Sequence, residues 1–301
     1  MWRAANSGCE LKSFVRSVEI YVNEVQGGWS PFDPFVGGTE EYVIETASVL
    51  ARRGYRVRVY HNGRHGEFSG VQYLDKDQYQ GEDVLLAVKE CPQKLARRNI
   101  FFTNDVHHRA RDFQEFDHIV AASNWHADHL LGREKVSVIY HACWPERYKN
   151  AQKIPGTCLY SSSPDRGLDF LLKIWPEVHV KTGAQLTLTY GARVNLPGVT
   201  CTGKISTDEM DNLYRQSQFW LHPCTGIELF CISGYKAQAA GCIPVIIPAM
   251  ALAETVVFGV KTKIENYQDA LIQALQNPPK IPKIIFPSWE EVTGQLEALF
   301  T

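Results

Sequence analysis

The run Glu228-Leu229-Phe230-Cys231-Ile232-Ser233-Gly234-Tyr235-Lys236-Ala237-Gln238-Ala239-Ala240-Gly241-Cys242-Ile243-Pro244-Val245 follows a short aromatic and apolar stretch, Phe219–Leu221. Phe230 to Ala240 can form a short helix, and Gly241 supplies its stop. Ile243–Ile247 is β-branched and reads as a strand. Strand, helix and strand in succession make a parallel βαβ unit. Glu228 then falls at or just before the helix start. A carboxylate there can accept hydrogen bonds from ligand hydroxyls while the helix N–H groups face an anion. The same pattern also suits a glutamate that merely complements the dipole of a core helix.

The alternation extends in both directions. Val18–Val22, Tyr55–Tyr60, Asp83–Val88, Ile100–Thr103, His118–Ala122 and Val136–Tyr140 read as strands, with a helical pattern at Thr39–Arg53. A second series holds Thr157–Tyr160, Gln185–Tyr190, Val199–Cys201 and Phe219–Leu221, with helices at Leu168–Lys181 and Ser206–Ser217. Ser206 and Glu209 have capping-box spacing. Near Trp144–Pro155 polar residues and proline replace apolar ones. These features predict an α/β chain of two Rossmann-like domains, 1–150 and 151–286. A last helix in 287–301, with Val292, Leu296, Leu299 and Phe300 on one side, is expected to pack back on the first domain. Ligands bind at the carboxyl ends of parallel strands, so the loops after strands are where chemistry is sought.

Bulk properties exclude several classes. The net charge of −2 over 301 residues gives no basic field for nucleic acid. No apolar run reaches the roughly 18 residues of a membrane span. Met1–Arg16 lacks the apolar core and cleavage site of a secretory signal. The eight cysteines form no CxxC pair, so neither a zinc site nor a disulfide framework is expected, and a cytoplasmic location is the default. Arg52, Arg53, Arg56 and Arg58 form a basic cluster. A peripheral membrane contact there is not favoured, because Arg56 and Arg58 alternate on a strand and read as a solvated face.

Two further loops carry possible chemistry. Gly37-Gly38-Thr39-Glu40 lies between a strand and a helix, where glycines allow close backbone approach and the helix start suits an anion. It also reads as a plain turn. Ser161-Ser162-Ser163-Pro164-Asp165-Arg166-Gly167 follows a strand. Arg166 can hold a diphosphate through its fork of donors, or it can be a surface arginine on a polar loop.

The ordered set of blocks resembles the family-4 retaining glycosyltransferases, which have the two-domain GT-B fold. Glu228 matches the first glutamate of the family signature, and Gly241, Pro244 and Val245 match its close. Gly37-Gly38-Thr39-Glu40 is similar to the glycine-rich loop of the acceptor-side domain. Ser123-Asn124-Trp125-His126 and Pro145-Glu146-Arg147-Tyr148 are similar to the Ser-x-x-His and Pro-Glu-Arg-Phe blocks. Pro164-Asp165-Arg166-Gly167-Leu168 resembles the Pro-Glu-Lys-Gly-Leu block, and Gly203 to Leu213 the loop and helix beside the base. The likeness runs from about residue 18 through nearly the whole chain.

The resemblance implies transfer of a hexose from a nucleotide diphosphate-sugar, UDP- or GDP-hexose, to a hydroxyl on a glycan, lipid or small molecule. It implies retention at the anomeric carbon, with neither metal nor cofactor. Glu228, Arg166, Asp105 and His107 are the expected catalytic groups. Gly37, Gly38, Ser161, Ser162, Gly203, Lys204, Phe230, Cys231, Ile232 and Lys236 are expected to hold the donor together with Arg166. His126 and His141 are read as structural. Two positions depart from the pattern. Lys236 stands where the family has a second glutamate that accepts hydrogen bonds from the ribose, and an ammonium has no acceptor. Ser161 stands where many members carry a phosphate-binding arginine. Two rival readings remain. One is a nucleotide-sugar 2-epimerase of the same fold. The other is a donor-binding protein whose turnover is reduced or lost through Lys236.

Overall fold

The computed structural model describes residues 17–22, 28–108, 113–130, 135–190 and 193–301. The segment Met1–Arg16, read above as no secretory signal, lies outside the described residues.

The first sheet is built from β1 (Ser17–Val22), β2 (Arg56–His61), β3 (Gly66–Phe68), β4 (Val71–Asp75), β5 (Val84–Val88), β6 (Arg98–Phe102), β7 (His118–Ala121) and β8 (Val136–Val138). Its order is β3-β4-β2-β1-β5-β6-β7-β8, parallel throughout except where β3 pairs with β4. The run Val84-Leu85-Leu86-Ala87-Val88 is apolar at every position and buried at every position. That is the pattern of a central parallel strand covered on both faces. Helix α1 (Gly38–Arg52) covers part of this sheet, with Tyr42, Val43, Ala47 and Leu50 buried at helical spacing.

The second sheet contains β9 (Ile154–Tyr160), β10 (Gln185–Thr189), β11 (Val199–Gly203), β12 (Ser217–His222), β13 (Ile243–Ile246) and β14 (Val260–Lys261). It is parallel, in the order β11-β10-β9-β12-β13-β14. The remaining helices are α2 (Asn124–His129), α3 (Leu168–Thr182), α4 (Thr207–Gln216), α5 (Ile232–Ala239), α6 (Leu252–Thr255), α7 (Tyr267–Gln276) and α8 (Trp289–Glu297). The strand order reverses beside β1 in the first sheet and beside β9 in the second. Such reversals open crevices at the carboxyl ends of the strands. One apolar core joins both halves, running from Val18 and Val59 to Trp220, Ile246 and Trp289.

Three local features differ from the sequence expectation. The helix placed at Phe230 begins at Ile232, because Cys231 takes a left-handed conformation (φ 68°) that breaks the helix geometry before it. The hairpin β3–β4 and the helix α7 were not anticipated. The turn in that hairpin uses Ser69 at positive φ together with Gly70, and Ser69-Gly70 separates strands of three and five residues, a faint signal.

Helix α8 lies against α1. Trp289 is fully buried and meets Tyr42 edge to face at 5.9 Å. Arg52 pairs with Glu290 at 2.7 Å, and Arg53 with Glu297 at 2.6 Å. Ser288 and Glu291 close the helix start with a reciprocal capping box. Arg58 pairs with Glu82 at 2.6 Å, and Arg56 pairs with the same carboxylate. All four arginines of the basic cluster therefore have acidic partners, which removes the free positive face that an anionic membrane surface would need. Among the described residues no helix is long and apolar enough to cross a membrane.

Because Trp289 fills the space between α1 and the chain terminus, Trp289→Ala should leave a cavity there. The expected loss is about 3–5 kcal/mol in urea unfolding. A loss below about 1 kcal/mol would show that α8 contributes little to the first half of the molecule.

Candidate functional site

The loops after β1, β5, β6, β9 and β12 meet the starts of α1 and α5 around a cavity of about 530 Å³. Its wall contains Glu228, Arg166, Asp105 and His107, all expected from the sequence. It also contains Gly37, Gly38, Ser161, Ser162, Phe230, Cys231, Ile232 and Lys236. Gly203 and Lys204 are not on this wall. Lys204 instead reaches across to the opposite half and lies over the ring of Phe35 at 4.9 Å, and Phe35 does line the cavity. That contact is a cation–π interaction between the halves.

Arg166 is placed by a tight turn. Gly167 caps α3 with φ 90°, and a Cβ there would lie 2.3 Å from the carbonyl oxygen of Pro223. Only glycine lets the β9 loop sit this close to the β12 loop. Arg166 then reaches Glu228 (Nε to Oε1, 3.4 Å) and donates to the carbonyl of Ile227. Glu228 also faces His222 Nε2 at 3.4 Å. The ring of His222 is fixed from its other side by Ser162 Oγ, 3.1 Å from Nδ1. Ligand atoms of His222, Cys224 and Glu228 lie within 4.8 Å of one another. A divalent cation in that place would face the fixed charge of Arg166, which opposes it.

The hydroxyl of Ser161 is committed inward. It accepts from Trp220 Nε1 at 3.0 Å and lies 2.9 Å from the Tyr214 hydroxyl. Its side chain supports the wall rather than offering a donor to it. The left-handed Cys231 aims the first N–H groups of α5 at the cavity with no side-chain cap, and α1 likewise starts at Gly37 with none. Helices α4 and α8 are closed by Ser206 and Ser288, whereas α3, α6 and α7 also start without a side-chain cap. The starts of α1 and α5 are adjacent: a Cβ on Gly38 would stand 3.2 Å from Ile232 Cγ2. Both positive dipole ends therefore border one cavity, with the Glu40 carboxylate lying against the start of α1.

The loop after β6 is internally braced. Asn104 has φ 41°, and its amide donates to Thr39 Oγ1 at 3.0 Å. Asp105 accepts from the His107 amide at 2.8 Å. His126 stands behind this loop. Its Nδ1 accepts from the Ala122 amide at 3.3 Å, and its Nε2 lies 3.2 Å from the Asp105 carbonyl. Burial lowers the His126 pKa to about 4 and that of His141 to about 3.

Several wall residues were not anticipated: Phe35, Glu41, Lys89, Asn104, Tyr190 and Tyr214. Lys89 had a readable signal, since it ends the apolar run of β5. Glu41 pairs with Lys236 at 2.6 Å, joining α1 to α5. Nothing in a single sequence marks that pair.

Scans against protein-family models and against curated protein sequences find no match for this chain. Solved structures do match. A glycosyltransferase involved in avilamycin A biosynthesis, AviGT4, aligns over 94% of this chain and 93% of its own, with 17% identity and a TM-score of 0.63. A glycosyltransferase from Rickettsia africae aligns over 95% and 98%, with 12% identity and a TM-score of 0.66. Anabaena HepE, solved with UDP-glucose, aligns over 94% and 95%, with 13% identity and a TM-score of 0.66.

The imidazoles of His126 and His141, like that of buried His61, whose pKa is also lowered to about 4, give a pH dependence. All three bind a proton more weakly folded than unfolded, where the pKa is about 6.5. Their contribution is complete above pH 6.5 and is lost as pH falls toward 4, by up to about 1.4 kcal/mol per pH unit for each. Urea midpoints between pH 7.5 and 4.5 should fall below pH 6.5, and less steeply in His126→Gln and His141→Gln. Unchanged slopes in both variants would refute this account. The likeness to these structures over nearly the full length of the chain, together with the two parallel sheets facing one cavity, shows that this protein has the GT-B fold.

Proposed function

We propose that the protein is a retaining glycosyltransferase that moves a hexose from a UDP- or GDP-hexose to a hydroxyl acceptor, without metal or cofactor. Residues 1–150 form the acceptor side, and residues 151–286 form the donor side. The observation that carries the reading is the convergence of Arg166 and two uncapped helix starts on one cavity. This is a built anion site next to carboxylates that accept hydroxyl hydrogen bonds. Two solved neighbours of the same fold, AviGT4 and the Rickettsia africae protein, are glycosyltransferases, and a third, HepE, was solved with UDP-glucose.

In this reading the diphosphate lies at the starts of α1 and α5 and against Arg166. Breaking the anomeric bond leaves charge on the β-phosphate. Arg166 and the amides of Ile232 and Ser233 are preoriented to stabilise it. Glu228, held by Arg166 and His222, accepts hydrogen bonds from the hexose hydroxyls and fixes its face. The departing phosphate oxygen takes the proton of the acceptor hydroxyl, so no protein base is needed. Asp105 and His107 stand across the cavity and align the acceptor. Fixed cationic groups and dipoles take the place of a metal. The chain is read as cytoplasmic, a reading supported by the seven free cysteines among the described residues.

The test is a thermal-shift screen of UDP-, GDP- and ADP-hexoses at millimolar concentration, followed by transfer assays with the best donor. Arg166→Ala and Glu228→Gln are each expected to lower turnover by roughly 10²–10³-fold, with Tm within a few degrees of wild type. Wild-type turnover in either variant contradicts its role. Accumulation of an epimerised nucleotide-sugar without acceptor would point to the epimerase instead.

A further inference from the structure

Among the described residues, Lys236 and Glu41 form the one ion pair between cavity-lining residues whose partners come from different halves of the molecule. Both side chains are mostly buried, at 12% and 15% exposure, so solvent screens the pair weakly. The cavity wall carries three carboxylates: Glu41, Asp105 and Glu228. Glu228 is engaged by Arg166 and His222, and Asp105 by the His107 amide. Glu41 uses Oε2 for Lys236, and its Oε1 has no partner among the described residues.

Position along the helices says what this carboxylate faces. Lys236 is four residues past Ile232, about 6 Å along α5 at 1.5 Å per residue. Glu41 is three residues past Gly38 on α1, about 4.5 Å on. The pair therefore sits about one turn beyond the adjoining helix starts, whereas Arg166 contacts Ile227 and Glu228, which precede α5. If a diphosphate lies at those starts, the next group of an extended nucleotide lies beside the pair, and that group is a ribose with two vicinal hydroxyls. A diol needs acceptors. The ammonium has none, whereas a carboxylate held by one oxygen still offers the other.

We propose that Glu41, oriented by Lys236, is the diol-reading residue of the donor site and accepts hydrogen bonds from the ribose hydroxyls across the cleft. The inference rests on the donor-site reading above. It makes ribose recognition depend on both halves at once, since the acceptor belongs to α1 and the lysine that aims it belongs to α5. Lys236 is thereby a positioning residue rather than a defective ligand.

The experiment compares binding of UDP and 2′-deoxy-UDP, or of GDP and 2′-deoxy-GDP if GDP shifts Tm more, by calorimetry. Wild type should prefer the ribonucleotide by roughly tenfold or more, the scale of one charge-assisted hydrogen bond. Glu41→Gln and Glu41→Gln/Lys236→Gln should reduce that preference severalfold, because the amide keeps only a neutral acceptor where the carboxylate stood, while still binding the deoxynucleotide within about threefold of wild type. The double variant guards against an unpaired buried lysine unfolding the protein. Lys236→Glu should weaken both ligands, because it sets two carboxylates face to face. A pair that only latches the halves together predicts instead that Glu41→Gln weakens both nucleotides equally, and that result overturns the proposal. If wild type binds neither nucleotide, the donor-site reading fails and this inference fails with it. Nucleotide binding with unchanged ribose preference in Glu41→Gln rejects the inference alone.

Discussion

The contact between Gly38 and Ile232 governs the site. Two parallel sheets each direct the helix that follows a strand outward from the strand's carboxyl end, and here two such helices start side by side. A Cβ on residue 38 would crowd the Ile232 side chain at 3.2 Å. Each start brings unpaired N–H groups and about half a positive charge. Neither is closed by a side chain of its own. Two such ends facing one cavity repel each other unless something negative lies between or near them. Glu41 on one helix and Lys236 on the other meet one turn beyond that meeting point, so the pair offsets part of the cost of bringing the helix starts together.

The rest of the wall follows from holding those ends in place. Cys231 accepts a left-handed backbone so that α5 can begin exactly beside the cavity's anion-facing side, and Gly234 lets the helix settle on Trp220. Trp220 in turn donates to Ser161, which meets Tyr214. A residue that looked like a phosphate ligand in the sequence is thus part of a buried chain of hydrogen bonds beneath the wall. Such a chain fixes the β9 loop from below and leaves Arg166 as the charged group that the loop presents.

Much of the fold was legible because buried parallel strands leave continuous β-branched runs, as in Val84–Val88, and because α1 and α3 carry apolar residues at helical spacing. Ser206 and Glu209 marked the start of α4, and the structure has that capping box. Elements whose burial depends on partners far along the chain were harder to read. The short edge hairpin of β3 and β4 has few residues to show a pattern, and α7 is defined by packing against α3. In the site, residues at the ends of strands could be found from position alone: Arg166, Glu228 and Asp105 all follow strands. Glu41 could not. It lies inside a helix, looks like a dipole-matching glutamate, and gains its meaning only from a lysine 195 positions later. Lys204 shows the opposite failure. A motif put it at the base, yet the ring of Phe35 draws it across the cleft.

The charge inventory of the wall explains why a lysine at position 236 is compatible with a nucleotide-sugar site. Lys89, Arg166 and Lys236 face Glu41, Asp105 and Glu228, so the fixed side-chain charges cancel. A site meant for a bare polyphosphate would carry a surplus of cations. A balanced site attracts a ligand that combines an anion with many hydroxyls, because the cations turn to the phosphates while their carboxylate partners turn to the hydroxyls beside them. Under the proposed reading, each ion pair would serve as a bidentate reader of a phosphate next to a polyol. Arg166–Glu228 suits the sugar end, and Lys236–Glu41 suits the nucleoside end. A glutamate at position 236 would read the ribose from one half of the molecule alone, whereas the lysine requires α1 to be in place. Under the proposed donor-site reading, the same interaction that relieves the two helix starts would make recognition of the nucleoside conditional on α1 and α5 lying together.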